Sequence, residues 1–258
     1  MNKSCSSSDF PWPESLIKEI QLLCAERSVD AYLVGGIVRD ALLYPQALGE
    51  VSRKKLDIDI VIVGNGIQFA QTLSDRIACK IETFKSFGTA RLSELDTKWF
   101  GNKASVCDLD IVTARSEIYK SAGAFPSVTP STLNDDLQRR DFTINTLCLP
   151  ISQAIGTDWR SNIIDNFNGI RDLELKQICV LHSKSFIDDP TRIFRAARYA
   201  ARYGFYVCEE SRVLIKEALV ANCFNTVSKN RIAKEYRLIE QEEAKDQVLS
   251  LLEAWGIR

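Results

Sequence analysis

Two aspartates open an apolar run in the segment LDIDIVIVG, residues 56–64. Residues i and i+2 of a strand project from one face, so Asp57 and Asp59 are expected about 7 Å apart, opposite Ile58 and Ile60. Neighbouring carboxylates repel each other unless a cation compensates them, and Mg²⁺ is a hard cation that takes oxygen ligands. The pair predicts a Mg²⁺ site, and a solvated strand end is the alternative that this pattern leaves open.

A second strand pattern, CDLDIVTA, repeats this spacing at Asp108 and Asp110. If it neighbours the first strand, it supplies a third carboxylate to the same site. Three carboxylates around two metal ions suit phosphoryl or nucleotidyl transfer. The residues alone do not decide which of the two aspartates contributes. They also leave open that both lie on the surface.

The segment LVGGIVRDALL places a glycine turn between a predicted strand and a predicted helix. Backbone N–H groups at such a helix start bind phosphate, and Arg39, one turn after Gly36, adds a bidentate donor. The turn lacks the G-K-[ST] of a Walker A loop and the spacing G-x-G-x-x-G. A purely structural corner is the alternative.

The segment DDLQRRDFTINTL predicts a helix over 134–147, after a loop over 115–133 that is rich in Gly, Pro, Ser and Thr. On that helix Asp141 and Asn145 are one turn apart, with Arg140 beside them. Such a face suits the sugar and triphosphate of a nucleotide. A solvated helix of mixed charge is the alternative.

The segment IDDPTRIFRAARYAARYGF predicts a helix capped by Asp189, with Pro190 at its first position. Asp188 and Arg192 are i, i+4 neighbours on this interpretation. Three more arginines fall within roughly 60° of one another on a helical wheel: Arg195, Arg198 and Arg202. This basic stripe suits phosphate groups, and an arginine-rich helix exposed to water is the alternative.

The composition excludes several classes of function. With 33 basic and 34 acidic residues the net charge is −1, so no global field attracts nucleic acid or a membrane. Eight cysteines without a C-x-x-C and a single histidine, His182, do not form a zinc set, and they argue against Ser-His-Asp or Cys-His catalysis. The thiols are predicted to be reduced and mostly packed. The sequence shows neither a signal-peptide core nor an apolar run of about 18 residues, which predicts a cytoplasmic protein outside the membrane.

The elements that must position these residues change character along the chain. The first half alternates helical and strand patterns, whereas from about Gly169 onward the periodicity is helical. We therefore predict the α+β class, with a mixed β-sheet head followed by an all-helical neck. The predicted limits are a leader and helix over 1–28, a head over 29–165, and a neck with truncated body over 166–258.

The order of these segments resembles the head and neck of the class II tRNA nucleotidyltransferase (CCA-adding enzyme) and bacterial poly(A) polymerase family. The resemblance runs from about Tyr32 to about Phe205, with weaker support to Glu235. It implies that the head has the nucleotidyltransferase fold, the family's palm.

The resemblance also implies roles for single residues. Asp57 and Asp59 match the aspartates that bind catalytic Mg²⁺, and Asp110 matches the third carboxylate better than Asp108 does. The remaining matches bind the nucleotide: Gly36 and Arg39 at the turn; Arg140, Asp141 and Asn145 at the ribose and phosphates; Asp188, Asp189 and Arg192 at the Watson–Crick edge of the base; Arg195 and Arg198 along the pocket.

The implied activity is Mg²⁺-dependent addition of CMP, AMP or both from CTP and ATP to the 3′ end of tRNA, with release of pyrophosphate. CCA, CC and A addition all stay open. The alternatives are a poly(A) polymerase acting on other RNA, and a truncated paralogue that binds nucleotide or RNA without catalysis. Full-length relatives continue into helical body and tail domains that hold the tRNA elbow. We therefore expect one of three cases: these contacts are absent, they come from a partner or separate chain, or this chain is a shortened relative.

Overall fold

The computed structural model of the protein describes residues 12–44, 55–101, 106–156 and 158–257. The chain forms two compact units built from alternating segments. The first unit comprises residues 1–116, 128–137 and 145–166, and the second comprises 117–127, 138–144 and 167–258. The domain limits predicted after residues 28 and 165 stay predictions. The Ser-rich start of the leader lies outside the described residues, as do residues 45–54, which precede the D-x-D.

The strands of the described residues are β1 (Asp30–Val34), β2 (Leu56–Val63), β3 (Lys80–Phe84), β4 (Thr89–Ser93), β5 (Cys107–Thr113), β6 (Arg115–Ile118), β7 (Ser127–Pro130), β8 (Cys148–Pro150), β9 (Gln177–Ile178) and β10 (Tyr206–Val207). The α-helices are α1 (Glu14–Arg27), α2 (Gly36–Leu43), α3 (Gly66–Ile77), α4 (Leu133–Gln138), α5 (Gly169–Glu174), α6 (Ser185–Asp188), α7 (Thr191–Tyr203), α8 (Glu209–Val220), α9 (Lys229–Glu240) and α10 (Lys245–Ala254). Within the described ranges, no helix has both the length and the apolar character needed to cross a membrane.

The first unit is built on a six-stranded mixed sheet in the order β3-β4-β5-β2-β1-β8. β2 and β5 pair in parallel, and the other neighbouring strands pair antiparallel. The core side chains of β2 alternate with its aspartates, because Leu56, Ile58 and Ile60 are buried whereas Asp57 is exposed and Asp59 half-buried. The strand prediction for the D-x-D segment is confirmed.

Helix α3 packs closely against the carboxyl end of β5. The backbone N–H of Gly66 donates to Oγ1 of Thr113 at 3.0 Å. A Cβ at Gly66 would lie 2.7 Å from the backbone nitrogen of Thr113, so a side chain there would clash. On its buried side α3 packs Phe69, Ala70 and Leu73, which fixes the helix on the sheet.

The second unit is mainly helical, with a core formed by Phe194, Ala197, Ile239, Val248 and Leu252. It also contains one short parallel pair, β9 with β10, so the neck predicted as all-helical carries a small sheet. The helical periodicity of its longer segments is otherwise confirmed by α7, α8, α9 and α10.

The helix predicted over 134–147 is wrong beyond its first residues. α4 ends at Gln138, and a 3₁₀ turn over Thr143–Asn145 follows a bend. Oδ1 of Asp141 accepts the backbone N–H of Phe142 at 2.9 Å, a local bond that competes with helix formation. The backbone N–H of Thr143 instead donates to the carbonyl oxygen of Cys179, so distant pairing replaces the helical bond.

Two further expectations are corrected. The loop predicted over 115–133 contains β6 and β7, which pair as a two-stranded sheet. Asp188 ends α6 and Asp189 adopts an extended conformation (φ −136°, ψ 94°). Asp188 and Arg192 therefore do not lie on one continuous helix, because the chain extends at Asp189 before α7 begins.

Candidate active site

The aspartates of the two D-x-D patterns form one face of the sheet in the first unit. In the parallel pairing of β2 with β5, Asp57 lies opposite Asp108 and Asp59 lies opposite Asp110. Both strands bury their alternate side chains, so the four carboxylates project to the same side. The expectation that the second strand neighbours the first is confirmed.

Lys55 bridges two of these carboxylates. Its Nζ lies 2.8 Å from Oδ1 of Asp57 and 3.0 Å from Oδ2 of Asp108. Hydrogen bonds to Asp57 and Asp108 raise the pKa of Lys55 above its ordinary value, so the amine stays protonated. The sequence analysis missed this residue, although it stands two positions before Asp57 and continues the period of two.

Arg91 holds the third carboxylate. Its Nε donates to Oδ1 of Asp110 at 2.7 Å and its second terminal nitrogen donates to Oδ2 at 2.5 Å. In the antiparallel pairing of β4 with β5 the two residues lie directly opposite each other. Hydrogen bonding to Asp110 raises the pKa of Arg91 above its ordinary value. Arg91 was also missed, and its available signal is the alternation with buried Ala90 and Leu92.

The donor set of this face fits Mg²⁺, because carboxylate oxygens are ligands that this cation takes. As the side chains stand, the described part of the chain shows no group of three or more His, Cys, Asp or Glu residues gathered to hold a metal ion. Lys55 and Arg91 take oxygens of Asp57 and Asp110. A metal bound at the carboxylates would therefore displace, or share oxygens with, these two cations.

The predicted glycine turn begins beside the aspartates. β1 pairs antiparallel with β2, with Leu33 opposite Ile60, so the chain that leaves β1 passes next to Asp59. Gly35 has φ +69° and ψ −128°, a conformation that glycine adopts readily and other residues do not. Its backbone N–H donates to the carbonyl oxygen of Leu147 at 3.0 Å, which anchors the turn.

Arg39 lies under this turn and contacts another predicted site residue. Its side chain is 5% exposed, and its Nε donates to Oδ1 of Asp40 at 2.8 Å. NH1 donates to Oδ1 of Asn145 at 2.5 Å. A Cβ at Gly36 would lie 3.4 Å from NH2 of Arg39. The packing thus brings three predicted nucleotide-binding residues together, all within the first unit.

In the second unit Asp141 and Arg195 form an ion pair. Oδ2 of Asp141 accepts Nε of Arg195 at 2.7 Å and NH2 at 2.5 Å. The Coulomb attraction of Asp141 raises the pKa of Arg195 above its ordinary value. Arg195 also stacks on Tyr199, with its guanidinium carbon 5.3 Å from the ring centroid. Two residues that the sequence predicted on separate segments are therefore adjacent.

The side chain of Asp189 caps α7 from one position before the N-cap residue, which is Pro190 rather than Asp189 as predicted. Its Oδ1 accepts the backbone N–H of Thr191 at 3.0 Å and the hydroxyl of Thr191 at 2.6 Å. The same oxygen accepts NH2 of Arg231 at 2.8 Å. Arg231 donates from NH1 to the carbonyl oxygen of Gly123 at 2.6 Å. Arg231 was missed, because nothing in its local sequence indicates a partner 42 residues away.

The remaining arginines of α7 are paired rather than free. NH1 of Arg192 donates to Oγ of Ser185 at 2.6 Å and NH2 donates to the carbonyl oxygen of Arg139 at 2.7 Å. Nε of Arg198 donates to Oε1 of Glu242 at 2.9 Å. Arg202 binds the same carboxylate. Arg198 and Arg202 thus share one carboxylate, and NH1 of Arg198 also lies 3.4 Å from Oε2 of Glu235. The assignment of this stripe to phosphate groups stays a prediction.

Residues 31–179 match the poly A polymerase head domain. The chain belongs to this family. It is 36% identical over 244 residues to the A-adding tRNA nucleotidyltransferase of Geobacter sulfurreducens, which covers 94% of this chain and 25% of that protein. It is 33% identical over 224 residues to the CC-adding tRNA nucleotidyltransferase of Deinococcus radiodurans, covering 87% of this chain and 53% of the relative.

A solved structure of a tRNA nucleotidyltransferase with a primer tRNA and an incoming ATP analog superposes on this head domain and helical region with a TM-score of 0.71. The two sequences are 32% identical, and the match covers 92% of this chain and 60% of that one. The predicted fold, a nucleotidyltransferase-type head followed by a helical region, is confirmed. The chain spans between a quarter and about three fifths of the length of these relatives.

The predicted site residues of this poly A polymerase family member fall into two groups. The first unit holds the carboxylates and the glycine turn: Gly36, Arg39, Asp57, Asp59, Asp110 and Asn145. The second unit holds the others: Arg140, Asp141, Asp188, Asp189, Arg192, Arg195 and Arg198. Arg140 lies half-buried in the bend after α4, and Asp188 ends α6.

Proposed function

We propose that this chain is a Mg²⁺-dependent nucleotidyltransferase that adds AMP, CMP or both from ATP and CTP to the 3′ end of tRNA, with pyrophosphate as the second product. One observation carries the proposal: Asp59 lies opposite Asp110 on the paired strands β2 and β5. On the other side of β2, strand β1 leads into the glycine turn at the start of helix α2. The names of the similar proteins, A-adding and CC-adding tRNA nucleotidyltransferases, support the same activity. A cytoplasmic location belongs to the same proposal.

The metal-binding residues of the proposal are Asp57 and Asp59, with Asp110 as the third catalytic carboxylate. When bound, Mg²⁺ supplies activation of the attacking hydroxyl and compensation of charge on the reacting phosphate. Asp110 is favoured over Asp108 by its position opposite Asp59, the inner and less exposed residue of the pair on β2.

The chain's own groups provide the phosphate contacts. The backbone N–H groups at the start of α2 point away from the helix, where they are suited to an anionic triphosphate. Arg39 has a fixed side chain, because Asp40 and Asn145 both accept its hydrogen bonds. Lys55 and Arg91 stand at the carboxylates and provide further positive charge for the phosphates.

Base selection is assigned to Asp189 and Arg192, with Asp188 beside them. A carboxylate accepts from an exocyclic amino group and a guanidinium donates to a ring nitrogen, a pattern that suits both cytosine and adenine but neither guanine nor uracil. The three hydrogen bonds described for Asp189 converge on Oδ1, which leaves Oδ2 as the proposed acceptor. Ser185 and the Arg139 carbonyl hold Arg192 in one orientation. Asp141 orients Arg195 in the same way.

The test uses purified protein, Mg²⁺, and three tRNA primers that lack one, two or three residues of the CCA end. Each is incubated with labelled CTP alone, labelled ATP alone, and both. The proposal predicts incorporation on at least one primer, and the matching nucleotide identifies A, CC or CCA addition. Processive ATP addition to unrelated RNA would favour the poly(A) polymerase alternative. Nucleotide binding without incorporation on any primer would favour the non-catalytic alternative and refute the proposal.

A further inference from the structure

Two cysteines face each other across the small sheet of the second unit. β9 and β10 pair in parallel with Ile178 opposite Val207, and the backbone N–H of Cys208 donates to the carbonyl oxygen of Ile178 at 3.1 Å. Cys179 and Cys208 are the next residues in this register. Adjacent strands lie about 4.8 Å apart, and a disulfide spans Cα separations of about 4.4–6.8 Å. The backbone therefore places the two thiols within bonding reach.

Ser211 fixes the position of the Cys208 sulfur. Oγ of the buried Ser211 lies 3.2 Å from the Cys208 sulfur and accepts the backbone N–H of Val180 at 3.0 Å. Ser211 thus ties Cys208, at the start of α8, to Val180, the residue that follows Cys179 in the chain.

The two thiols differ in acidity. The neighbouring Cys179 thiol lowers the pKa of Cys208, an effect that outweighs burial, and the Ser211 hydroxyl acts in the same direction. Cys208 is also the N-cap residue of α8, where the helix dipole favours a thiolate. The neighbouring Cys208 and burial raise the pKa of Cys179. The Cys208 sulfur is thereby suited to attack an oxidant, and the Cys179 sulfur is suited to react with the oxidised Cys208.

A cavity of about 640 Å³ gives access to the pair. Its lining includes Cys179, Cys208 and His182, together with Glu209 and Glu210. Both glutamates are exposed, so the cavity reaches the surface of the unit. Other described cysteines are less suited to react, because burial raises the pKa of Cys24 and of Cys79 to about 11.

We propose that Cys179 and Cys208 form a redox-responsive pair, which hydrogen peroxide converts to a disulfide and a small dithiol restores. The Cys208 sulfur attacks one peroxide oxygen, an S–O bond forms, the O–O bond breaks, and hydroxide leaves as water with the thiol proton. The Cys179 sulfur then attacks the Cys208 sulfur, the S–S bond forms, the S–O bond breaks, and the hydroxide leaves as a second water with the Cys179 thiol proton. Two thiols and one peroxide give one disulfide and two waters.

The test is a peroxide titration of the full chain, followed by alkylation, digestion and mass spectrometry. The proposal predicts that the first oxidised product is a Cys179–Cys208 linked peptide, 2 Da lighter than the two reduced peptides, and that dithiothreitol removes it. C179S is expected to accumulate a Cys208 sulfenic acid that dimedone traps. C79S, the matched control, should form the link as the wild type does.

Three results would overturn the proposal. The first is that Cys179 and Cys208 are still reduced, and are therefore alkylated, at peroxide doses that oxidise the other thiols. The second is a link between other cysteines at the lowest dose. The third is a C179S protein whose Cys208 reacts no faster than Cys79. The wild-type mapping does not depend on the folding of any variant, and its outcome does not depend on the proposed nucleotidyl transfer.

Discussion

At the scale of single residues, the guanidinium of Arg91 binds both oxygens of Asp110, so it would compete with the proposed Mg²⁺ for them. R91A removes one positive charge from the carboxylate face. An interaction of about 1 kcal/mol corresponds to roughly a fivefold change in affinity, so we expect Mg²⁺ to bind about three to ten times more tightly to R91A in the absence of nucleotide. Isothermal titration of the protein with MgCl₂ measures this.

The control for this titration is R76A. Arg76 also pairs with two carboxylates, those of Glu19 and Glu26, but these belong to a different part of the first unit. R76A should leave the Mg²⁺ affinity unchanged. Equal or weaker Mg²⁺ binding by R91A would show that Arg91 does not compete for the metal's ligands.

The carboxylates could be predicted from the sequence, but the pairing of Arg91 with Asp110 could not. A period of two places Asp57 and Asp59 on one face, and the repeat at Asp108 and Asp110 predicts a second set. Arg91 reaches Asp110 only through the pairing of β4 with β5, which depends on register between distant segments. For the same reason the helical wheel of α7 showed its arginines but not their partner Glu242, which follows Arg198 by 44 residues.

At the scale of elements, the start of α7 depends on Asp189. D189A removes the acceptor of the Thr191 N–H and the partner of Arg231. Loss of an N-cap costs about 0.5–2 kcal/mol, so we expect D189A to lower the free energy of unfolding by about that amount. D189N retains a good capping residue and should lose less. Urea unfolding of the three proteins measures both values.

The two Asp189 variants also separate stability from base selection. D189N turns an acceptor-only carboxylate into an amide, which should change the ratio of ATP to CTP use even where the fold is intact. An unchanged ratio would remove Asp189 from the proposed base contacts. Equal stability of D189A and wild type would show that the cap contributes nothing to α7.

The last two turns of α7 depend on Glu242, whose side chain is 8% exposed between Arg198 and Arg202. Burial acts to raise the pKa of Glu242, but the hydrogen bonds of Arg202 and Arg198 outweigh it and the pKa lies below its ordinary value. A carboxylate with a lowered folded pKa stabilises the fold above its unfolded pKa of about 4.3, and this contribution disappears as the pH falls through the folded value.

E242Q should therefore lower the free energy of unfolding at pH 7 by about 1–3 kcal/mol, because Arg202 loses its charged partner and Arg198 keeps only Glu235. The difference from wild type should shrink as the pH falls below about 4. Urea unfolding at a series of pH values gives both numbers, and E243Q, a change at the exposed neighbouring glutamate, is the matched control. A deficit that stays constant down to the lowest pH would contradict this account of Glu242.

Element boundaries were predictable where the local signals agreed. Periodicity and a cap residue together placed α7, and apolar alternation placed β2 and β5. The segment over 134–147 failed because its bonds are not local: Phe142 bridges Val180, and Thr143 donates to Cys179. The helical periodicity of that segment was overridden by pairing with residues nearly 40 positions later.

At the scale of the whole molecule, the order of weak motifs was more informative than any one of them. A D-x-D, a glycine turn and an arginine-rich helix each have an ordinary structural explanation, and together they indicated the family that residues 31–179 match. The expected absence of body and tail contacts, or their supply by a partner chain, stays a prediction. With a net charge of −1, any attraction for a polyanion must come from a local group of residues and not from the charge of the whole chain.

The central claim is that the carboxylate face formed by β2 and β5 performs nucleotidyl transfer. The most direct measurement compares Mg²⁺-dependent incorporation of labelled nucleotide into tRNA by wild type, D59N and D108N, with folding verified by circular dichroism. We expect D59N to lose about a thousandfold in rate and D108N to stay within roughly tenfold of wild type. Incorporation by D59N at the wild-type rate would contradict the claim.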